Sequence, residues 1–126
     1  MAKSPNQKTK LLHLAQMLLR QADEDHPPTV AQIIQELERQ GIKAERKSVY
    51  DDLEALRLFG LDVQSRKGKA PGWFVGAREF ELPEVKLLMD AVQSSRFITQ
   101  KKSDILIRKL ESLASVHQAR QLQRQV

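Results

Sequence analysis

The chain has 126 residues, of which 40% are hydrophobic and 29% are charged, and its formal net charge is +5. This length suits one domain, or one small domain with a helical appendage. The absence of cysteine excludes disulfide bonds, cysteine-ligated zinc fingers and thiol catalysis. The polar N-terminus has no signal-peptide core and no run reaches membrane-spanning length, so we expect a cytoplasmic protein without membrane contacts. The charge is only a moderate bias toward polyanions, because acids are interspersed throughout.

Two helices are predicted after a polar, flexible arm at residues 1–8. Apolar residues recur at three- and four-residue spacing from Thr9, and two consecutive prolines end this first pattern. Thr29 is expected to cap the second helix, with Gln32 three residues on as in a capping box. Gly41 is placed where a helix ends in the left-handed conformation. The next residue, an isoleucine, is the expected apolar plug before the third helix.

The third helix is predicted from about Glu45 or Arg46 to Phe59, with Gly60 directly after it. It is basic at its start, and it carries one apolar stripe that we expect to face the core. The residues of that stripe are Val49, Leu53, Leu56 and Phe59. Residues 62–76 then favour a two-stranded hairpin with a basic, turn-like tip.

The order helix, helix, basic-headed helix and basic hairpin is that of a winged helix-turn-helix, which makes DNA the leading partner. A recognition helix reads bases mainly with its N-terminal residues, and a wing suits phosphate or minor-groove contacts. Arginine and lysine can bond guanine, and aspartate can accept from cytosine N4. The candidate DNA-binding residues are Arg46, Lys47, Ser48, Tyr50 and Asp51 in the helix and Arg66, Lys67 and Lys69 in the hairpin. Weaker phosphate candidates are Lys8, Lys10 and Arg57.

Structural roles compete with the functional ones at several of these positions. Arg46 and Lys47 can form an ordinary solvated face, and Tyr50 can pack on the domain. For Trp73, a lid over the third helix is favoured over a base-stacking platform, since aromatic residues are few. Asp52 is expected to form an ion pair with a basic residue of a neighbouring helix.

A helical segment is predicted after a boundary near residues 78–81. Pro83 fits the first turn of a fourth helix, and Thr99 is expected to cap a fifth. Phe97 and Ile98, in the link between them, look buried. Because the winged domain already has its own core, the apolar stripes of residues 83–114 predict a symmetric homodimer interface; packing on the first helix of the same chain is the alternative. The candidate interface residues are Leu88, Met89, Val92, Leu106, Leu110 and Leu113.

Catalysis has little support in the sequence. The histidines His13, His26 and His117 are scattered, and none has a partner at metal-ligand spacing. There is no glycine-rich phosphate loop and no nucleophile elbow. We therefore expect no enzyme activity, no metal and no cofactor.

Two segments resemble bacterial WYL-domain (DeoR-like) transcription regulators. Residues 45–56, Glu-Arg-Lys-Ser-Val-Tyr-Asp-Asp-Leu-Glu-Ala-Leu, are similar to the recognition helix of that family, although Asp51 stands where many members carry arginine. Residues 78–113 resemble the helical linker that follows the winged domain there. The resemblance covers about residues 8–118 and includes no Trp-Tyr-Leu strand. It implies the DNA-binding and linker part of a longer regulator, without the sensor domain.

The resulting expectation is a mainly helical protein with a small β-hairpin. Its predicted parts are an arm at 1–8, a winged helix-turn-helix at 9–78, a helical linker and dimerisation segment at 79–116, and a tail at 117–126 leading toward an absent sensor. The expected function is sequence-specific binding of double-stranded DNA by a homodimer at an inverted-repeat operator in the bacterial cytoplasm, associated with the nucleoid. The alternative is a winged helix used for protein–protein contact, and an RNA-binding role ranks third.

Overall fold

The computed structural model describes residues 7–68 and 71–124. In this described part the protein is mainly helical, with six α-helices and one two-stranded antiparallel hairpin, as the sequence predicts at this coarse level. The chain divides into two compact units, Met1–Gly76 and Ala77–Val126, whereas the sequence suggests a boundary slightly later, near residues 78–81. None of the described helices is long and apolar enough to cross a membrane.

The first unit contains three helices followed by the hairpin. Its elements are a short 3-10 helix Gln7–Thr9, α1 Lys10–Arg20, α2 Val30–Arg39, α3 Arg46–Phe59, β1 Val63–Arg66 and β2 Gly72–Val75. Most of the predicted N-terminal arm, residues 1–6, lies outside the described residues. The end of the arm is attached, because the Gln7 Nε2 group donates a hydrogen bond to the Lys43 carbonyl oxygen at 2.9 Å.

The capping box predicted at the start of α2 is confirmed. The Thr29 hydroxyl accepts from the Gln32 backbone N–H at 3.2 Å, and the Gln32 side-chain oxygen accepts from the Thr29 N–H at 2.9 Å. Two of the backbone donors that a helix start leaves unpaired are satisfied in this way. The prediction succeeds because every participating group lies within four residues of the sequence.

Glycine ends α2 and α3 in the same way, with backbone φ of 83° at Gly41 and 130° at Gly60. After α2, the Ile42 N–H donates to the Leu37 carbonyl at 2.9 Å; after α3, the Leu61 N–H donates to the Leu56 carbonyl at 3.1 Å. These are the six-to-one hydrogen bonds of Schellman motifs, and residues with a side chain rarely adopt such φ values. The expected apolar plug at position 42 is confirmed, since its side chain is buried.

Phe59 was predicted to belong to the core and is instead 84% exposed. At about 100° per residue, Phe59 lies about 80° away from Val49, the centre of the buried stripe of α3. The chain reverses after Gly60, and the partly buried side chain of Leu61 packs against the core cluster. Leu61 therefore occupies the place in the core that the sequence pattern predicted for Phe59.

The core of the first unit draws on all three helices and both strands. Each large side chain buried there contributes roughly 1.5–3 kcal/mol. The buried residues are Leu14, Met17, Leu18, Ala22, Val30, Ile33, Leu37, Ile42, Val49, Leu53, Leu56, Val63, Phe74 and Val75. The α3 stripe is confirmed for its first three members.

The hairpin pairs β1 with β2 in a register that opposes Val63 to Val75 and Arg66 to Gly72. A further antiparallel bridge joins Gly72 to Thr29, and the backbone N–H of the next residue in β2 donates to the Pro28 carbonyl at 2.9 Å. The chain passes so close that a Cβ at position 72 would lie 2.3 Å from the Pro27 carbonyl oxygen, so only glycine fits. The start of α2 and the hairpin are therefore tied together by backbone contacts.

The second unit consists of α4 Leu82–Gln93, α5 Gln100–Glu111 and α6 Val116–Arg124. Pro83 lies in the first turn of α4, and the Thr99 side chain caps α5, both as predicted. The sixth helix was not predicted, since residues 117–126 were assigned to a tail. Leu122 of α6 is only 1% exposed and forms the core of this unit with Val85 and Met89.

Two further expectations for the second unit are corrected. Phe97, predicted to be buried, is 99% exposed, because the core is completed by α6 rather than by the link between α4 and α5. Met89 was a candidate dimer contact, but its side chain is buried within its own unit. Leu110 and Leu113, also dimer candidates, are partly buried against the same cluster.

An acid-sensitive contact stabilises the end of α2. The Glu36 carboxylate accepts hydrogen bonds from Arg39 Nε and Gln40 Nε2, each at 3.0 Å. The hydrogen bond from Arg39 is the main reason that the pKa of Glu36 falls from 4.5 to about 2, with the Gln40 amide contributing next.

We expect the free energy of unfolding to decrease as the pH falls from 4.5 to 2. A carboxyl group whose pKa is depressed by folding stabilises the protein above its unfolded pKa, and this stabilisation is lost as the pH approaches the folded pKa. Glu36→Gln should remove this part of the decrease, and the exposed Glu38→Gln should retain it. Denaturant unfolding at a series of pH values measures the stability of both variants. Equal acid sensitivity of the two variants would contradict the attribution of this effect to Glu36.

Candidate nucleic-acid interface

Helix α3 has four distinguishable sides, which follow from the 3.6-residue helical repeat. One side is the buried stripe centred on Val49 and Leu53. One flank carries Ser48 and Asp52, and the opposite flank carries Tyr50 and Arg57. The fourth side, opposite the core, is exposed and carries two of the candidate residues, Lys47 and Asp51.

The Ser48–Asp52 flank is fixed by a lysine from α1. Lys10 is only 7% exposed, and its Nζ lies 2.9 Å from Asp52 Oδ2 and also donates to the Ser48 hydroxyl. The expectation that Asp52 pairs with a basic residue of a neighbouring helix is confirmed. Lys10 was a phosphate candidate, and this is wrong because its ammonium group is enclosed by these two partners. The signal for this was available, since Lys10 lies one turn before Leu14 on the buried stripe of α1.

The opposite flank of α3 is fixed by the hairpin. The ring of Tyr50 meets the ring of Trp73 edge to face, with ring centroids 6.0 Å apart and an interplanar angle of 74°. Arg57 donates through Nε and Nη2 to the Val63 carbonyl oxygen at 3.2 and 3.0 Å, and through Nη1 to Glu54 at 2.7 Å. The guanidinium group of Arg57, another phosphate candidate, is thus occupied by contacts within the unit.

The start of α3 remains accessible between these two flanks. Arg46, Lys47 and Asp51 are exposed, and within the described part of the chain their side chains make no hydrogen bond or ion pair. Glu45 precedes the helix and makes no side-chain capping hydrogen bond, so the first-turn N–H groups are not capped by it. Ser48 is half-buried and held by Lys10, and Tyr50 keeps an exposed edge.

The charge on the accessible side of α3 is balanced. The cations of Arg46 and Lys47 are accompanied by the exposed carboxylates of Glu45 and Asp51. A face of this kind creates little net positive potential of its own. It offers hydrogen-bond donors and acceptors close together on an exposed face, which suits directional hydrogen bonds better than general attraction to a polyanion.

The hairpin tip adds two described basic residues. Arg66, at the end of β1, donates through Nη1 to the Glu24 carbonyl oxygen at 3.0 Å, and its side chain is exposed. Lys67 follows and is exposed as well. Lys69, the third candidate of the tip, lies outside the described residues. The Arg66 contact was not predicted, because its acceptor is a backbone group 42 residues away in the sequence.

The two histidines of the first unit each have a side-chain partner within that unit. His26 Nδ1 lies 2.9 Å from Asp23 Oδ1, and His13 Nδ1 lies 2.7 Å from Gln40 Oε1. The described residues contain no group of three or more histidine or acidic side chains that could hold a metal ion.

Comparisons with protein-family models, curated proteins and solved structures gave no match. The functional argument therefore depends on the geometry of α3 and the hairpin.

The Lys10–Asp52 pair gives a test of how α3 is held. Asp52→Asn leaves a buried ammonium group without its counter-ion, and we expect the free energy of unfolding to fall by roughly 1–3 kcal/mol. The double variant Lys10→Met/Asp52→Leu replaces both charges by apolar groups and should recover most of this loss. Denaturant unfolding measures Asp52→Asn, the double variant and its single variants Lys10→Met and Asp52→Leu. A double variant at least as unstable as the sum of those two single variants would contradict the pairing.

Proposed function

We propose that the first unit is a winged helix-turn-helix that binds double-stranded DNA sequence-specifically, as part of a bacterial transcription regulator. In this proposal α3 is the recognition helix and the β1–β2 hairpin is the wing. The main observation in support of this proposal is that both flanks of α3 are held by contacts, one by Lys10 and the other by Trp73 and Val63. Its basic start is left exposed between them.

The way the hairpin is attached supports this proposal. Backbone contacts join Gly72 and its neighbour in β2 to the segment just before α2, while Arg57 joins β1 to α3. A wing and a recognition helix that move together can contact adjacent parts of one duplex in a fixed register. Phosphate contacts from the wing would position α3, and base contacts from α3 would supply specificity.

The balanced charge of α3 favours direct readout of base edges. Arg46 is suited to a bidentate contact with guanine O6 and N7, and Lys47 to guanine or phosphate. Asp51 is suited to accept from the N4 amino group of cytosine, and it would disfavour an approach to the phosphate backbone. We therefore expect an operator half-site that contains G·C pairs under the start of α3.

The resemblance to WYL-domain regulators extends the proposal to the assembly of the protein. The protein would act as a cytoplasmic, nucleoid-associated homodimer, and two copies of α3 related by a two-fold axis would read an inverted repeat. The second unit would then provide the linker and dimerisation segment.

A second candidate function is favoured by one specific observation. Leu58 and Phe59, at the C-terminal end of α3, are 80% and 84% exposed. Adjacent large apolar side chains on a surface are typical of protein contacts, so a winged helix used for protein–protein interaction is the alternative. Leu58→Ser/Phe59→Ser would impair that function and leave DNA binding intact.

We expect Arg46→Ala to weaken binding to the selected operator by roughly 1–3 kcal/mol, because the variant cannot form the bidentate hydrogen bonds to a base. Tyr50→Ala should weaken it by a similar amount if the exposed edge of Tyr50 touches the DNA. Tyr50→Phe keeps the ring contact with Trp73, so any loss of affinity in this variant measures the contribution of the hydroxyl group to DNA binding. An operator obtained by selection from a random duplex library allows the measurement, with the exposed Arg20→Ala as a control of equal charge. Wild-type affinity in a folded Arg46→Ala/Tyr50→Ala variant would exclude this role of α3.

The wing gives a separate prediction. Replacing Arg66, Lys67 and Lys69 by alanine should weaken binding to all duplexes alike, since phosphate contacts carry no sequence information. The slope of log affinity against log salt concentration should shrink by about 0.9 for each phosphate that the variant no longer neutralises. A matched variant that removes three cations of the second unit, Arg96, Lys101 and Arg108, should leave the slope unchanged. An unaltered slope in the wing variant would mean that the tip does not touch the DNA backbone.

A further inference from the structure

The second unit leaves an unusual amount of large apolar side chain exposed for a segment of its length. On α4, Leu87 is 69% exposed and Leu88 is more than a third exposed. On α5, Ile105 is 46% exposed and Leu106 is likewise more than a third exposed. Single exposed leucines are normal on protein surfaces, but two adjacent pairs on neighbouring helices call for an explanation.

These four residues lie on corresponding flanks of their helices. On α4 the buried stripe contains Val85 and Met89, and Leu88 and Leu87 lie about 60° and 160° from Val85, on the side away from Met89. On α5 the inner stripe is centred on Ser103 and Leu110, and Leu106 and Ile105 lie at about the same angles in the same rotational sense.

Helices α4 and α5 pack against each other and are joined by only six residues, 94–99, so they form an antiparallel hairpin. In an antiparallel pair, equal angular offsets from the contact line lie on the same face of the pair. Leu88 and Leu106 therefore lie within one face of the hairpin, and Leu87 and Ile105 lie at the outer edges of the same face.

Helix α6 covers the other face. Leu122 belongs to one buried cluster with Val85 and Met89, and Leu82 and Ile107, which lie on the opposite side of the two buried stripes, pack against that cluster. The Gln123 side chain donates to Glu111, which is on that same side, at 3.2 Å. The α4–α5 pair thus has one face covered by its own chain and one face, defined by Leu87, Leu88, Ile105 and Leu106, that is uncovered.

We propose that the uncovered face docks on the same face of a second copy of this chain, so that α4 and α5 of both copies form an antiparallel four-helix bundle. The proposal deepens the dimer included in the proposed function and identifies its surface. It differs from the set of residues that the sequence suggested: Leu88 and Leu106 belong to the interface, Met89, Leu110 and Leu113 belong to the core of each copy, and Leu87 and Ile105 are added.

Charge on the edges of the face supports a second copy as the occupant. Glu84 lies beside the apolar residues at the N-terminal end of α4, and Lys109 lies beside them at the C-terminal end of α5. These two ends are at the same end of the antiparallel hairpin. A two-fold axis parallel to the helices stacks α4 of one copy on α5 of the other, which brings Glu84 to Lys109 of the second copy twice. At this end the face is thus complementary to itself in charge as well as apolar, as an isologous interface requires. Lys102 lies on the same side of α5 at the opposite end, where the helical repeat places no carboxylate of α4 on the face.

Sedimentation of the full chain at micromolar concentrations tests the surface. We expect a dimer for the wild type and at least about tenfold weaker dimerisation for Leu87→Glu/Ile105→Glu, since both carboxylates would be buried in an apolar contact. The control Gln93→Glu/Gln121→Glu adds the same charge at exposed positions away from the face and should remain dimeric. Helical circular dichroism should be the same in all three proteins, because the substituted side chains are exposed in the single chain.

The pairing of α4 with α5 is tested by charge reversal. Lys109→Glu and Glu84→Lys should each dimerise more weakly than the wild type, and an equimolar mixture of the two variants should form a heterodimer, in which both charge pairs are restored. The Glu84 carboxylate also accepts a hydrogen bond from the Glu81 N–H at 2.9 Å, in a capping box at the start of α4. Glu84→Lys removes this cap as well, but the loss of a cap cannot produce recovery in the mixture. A dimeric wild type with an unaffected Leu87→Glu/Ile105→Glu variant, or without heterodimer recovery, would overturn this interface and leave a dimer in place. A wild type that is monomeric at every concentration would overturn both this interface and the proposed homodimer. The proposal that the first unit binds DNA would not be affected.

Discussion

The position of α3 depends on one buried lysine. Lys10 belongs to the apolar stripe of α1 by its spacing, and its ammonium group has to find partners because an unpaired charge in that position is costly. Asp52 and Ser48 of α3 provide them. Apolar contacts alone allow helices to rotate and slide by small amounts at little cost, whereas a lysine that must reach two particular oxygens permits one arrangement. The ion pair thus contributes less to stability than to the choice of which residues of α3 face outward.

That choice decides what the candidate interface offers. With Val49 and Leu53 inward and Asp52 turned toward α1, the helical repeat places Lys47 and Asp51 on the outer side. The edge-to-face contact between Tyr50 and Trp73 holds the opposite flank of the helix against the hairpin. Directional hydrogen bonds to base edges need donors and acceptors that are held in place before binding, since ordering them at the moment of binding reduces affinity. In the proposed role as a recognition helix, a charge-balanced α3 would be suited to reading base edges rather than to attracting DNA from a distance.

The sequence predicted local features well and tertiary ones less well. Thr29, Gly41, Gly60, Pro83 and Thr99 were assigned correctly because a cap or a helix end is determined by groups within a few residues of one another. Phe59 and Phe97 were misassigned because apolar character alone does not show whether a partner is within reach, and in both cases the chain supplies another residue, Leu61 or Leu122. The contact of Arg66 with the backbone of residue 24 is determined by the fold and leaves no mark in the sequence pattern.

Helix α6 shows how one missed element changes the interpretation of its neighbours. Its sequence is rich in glutamine and arginine and was assigned to a tail, yet a capping box was present: the Ser115 hydroxyl accepts from the Gln118 N–H at 3.1 Å, and the Gln118 side chain accepts from the Ser115 N–H at 3.2 Å. Without α6, both faces of the α4–α5 pair would need an external partner. With it, Leu122 closes one face, and the demand for a partner is confined to the other. An apolar stripe therefore indicates that a surface will be covered, but only the complete set of helices shows which part of that surface is left for another molecule.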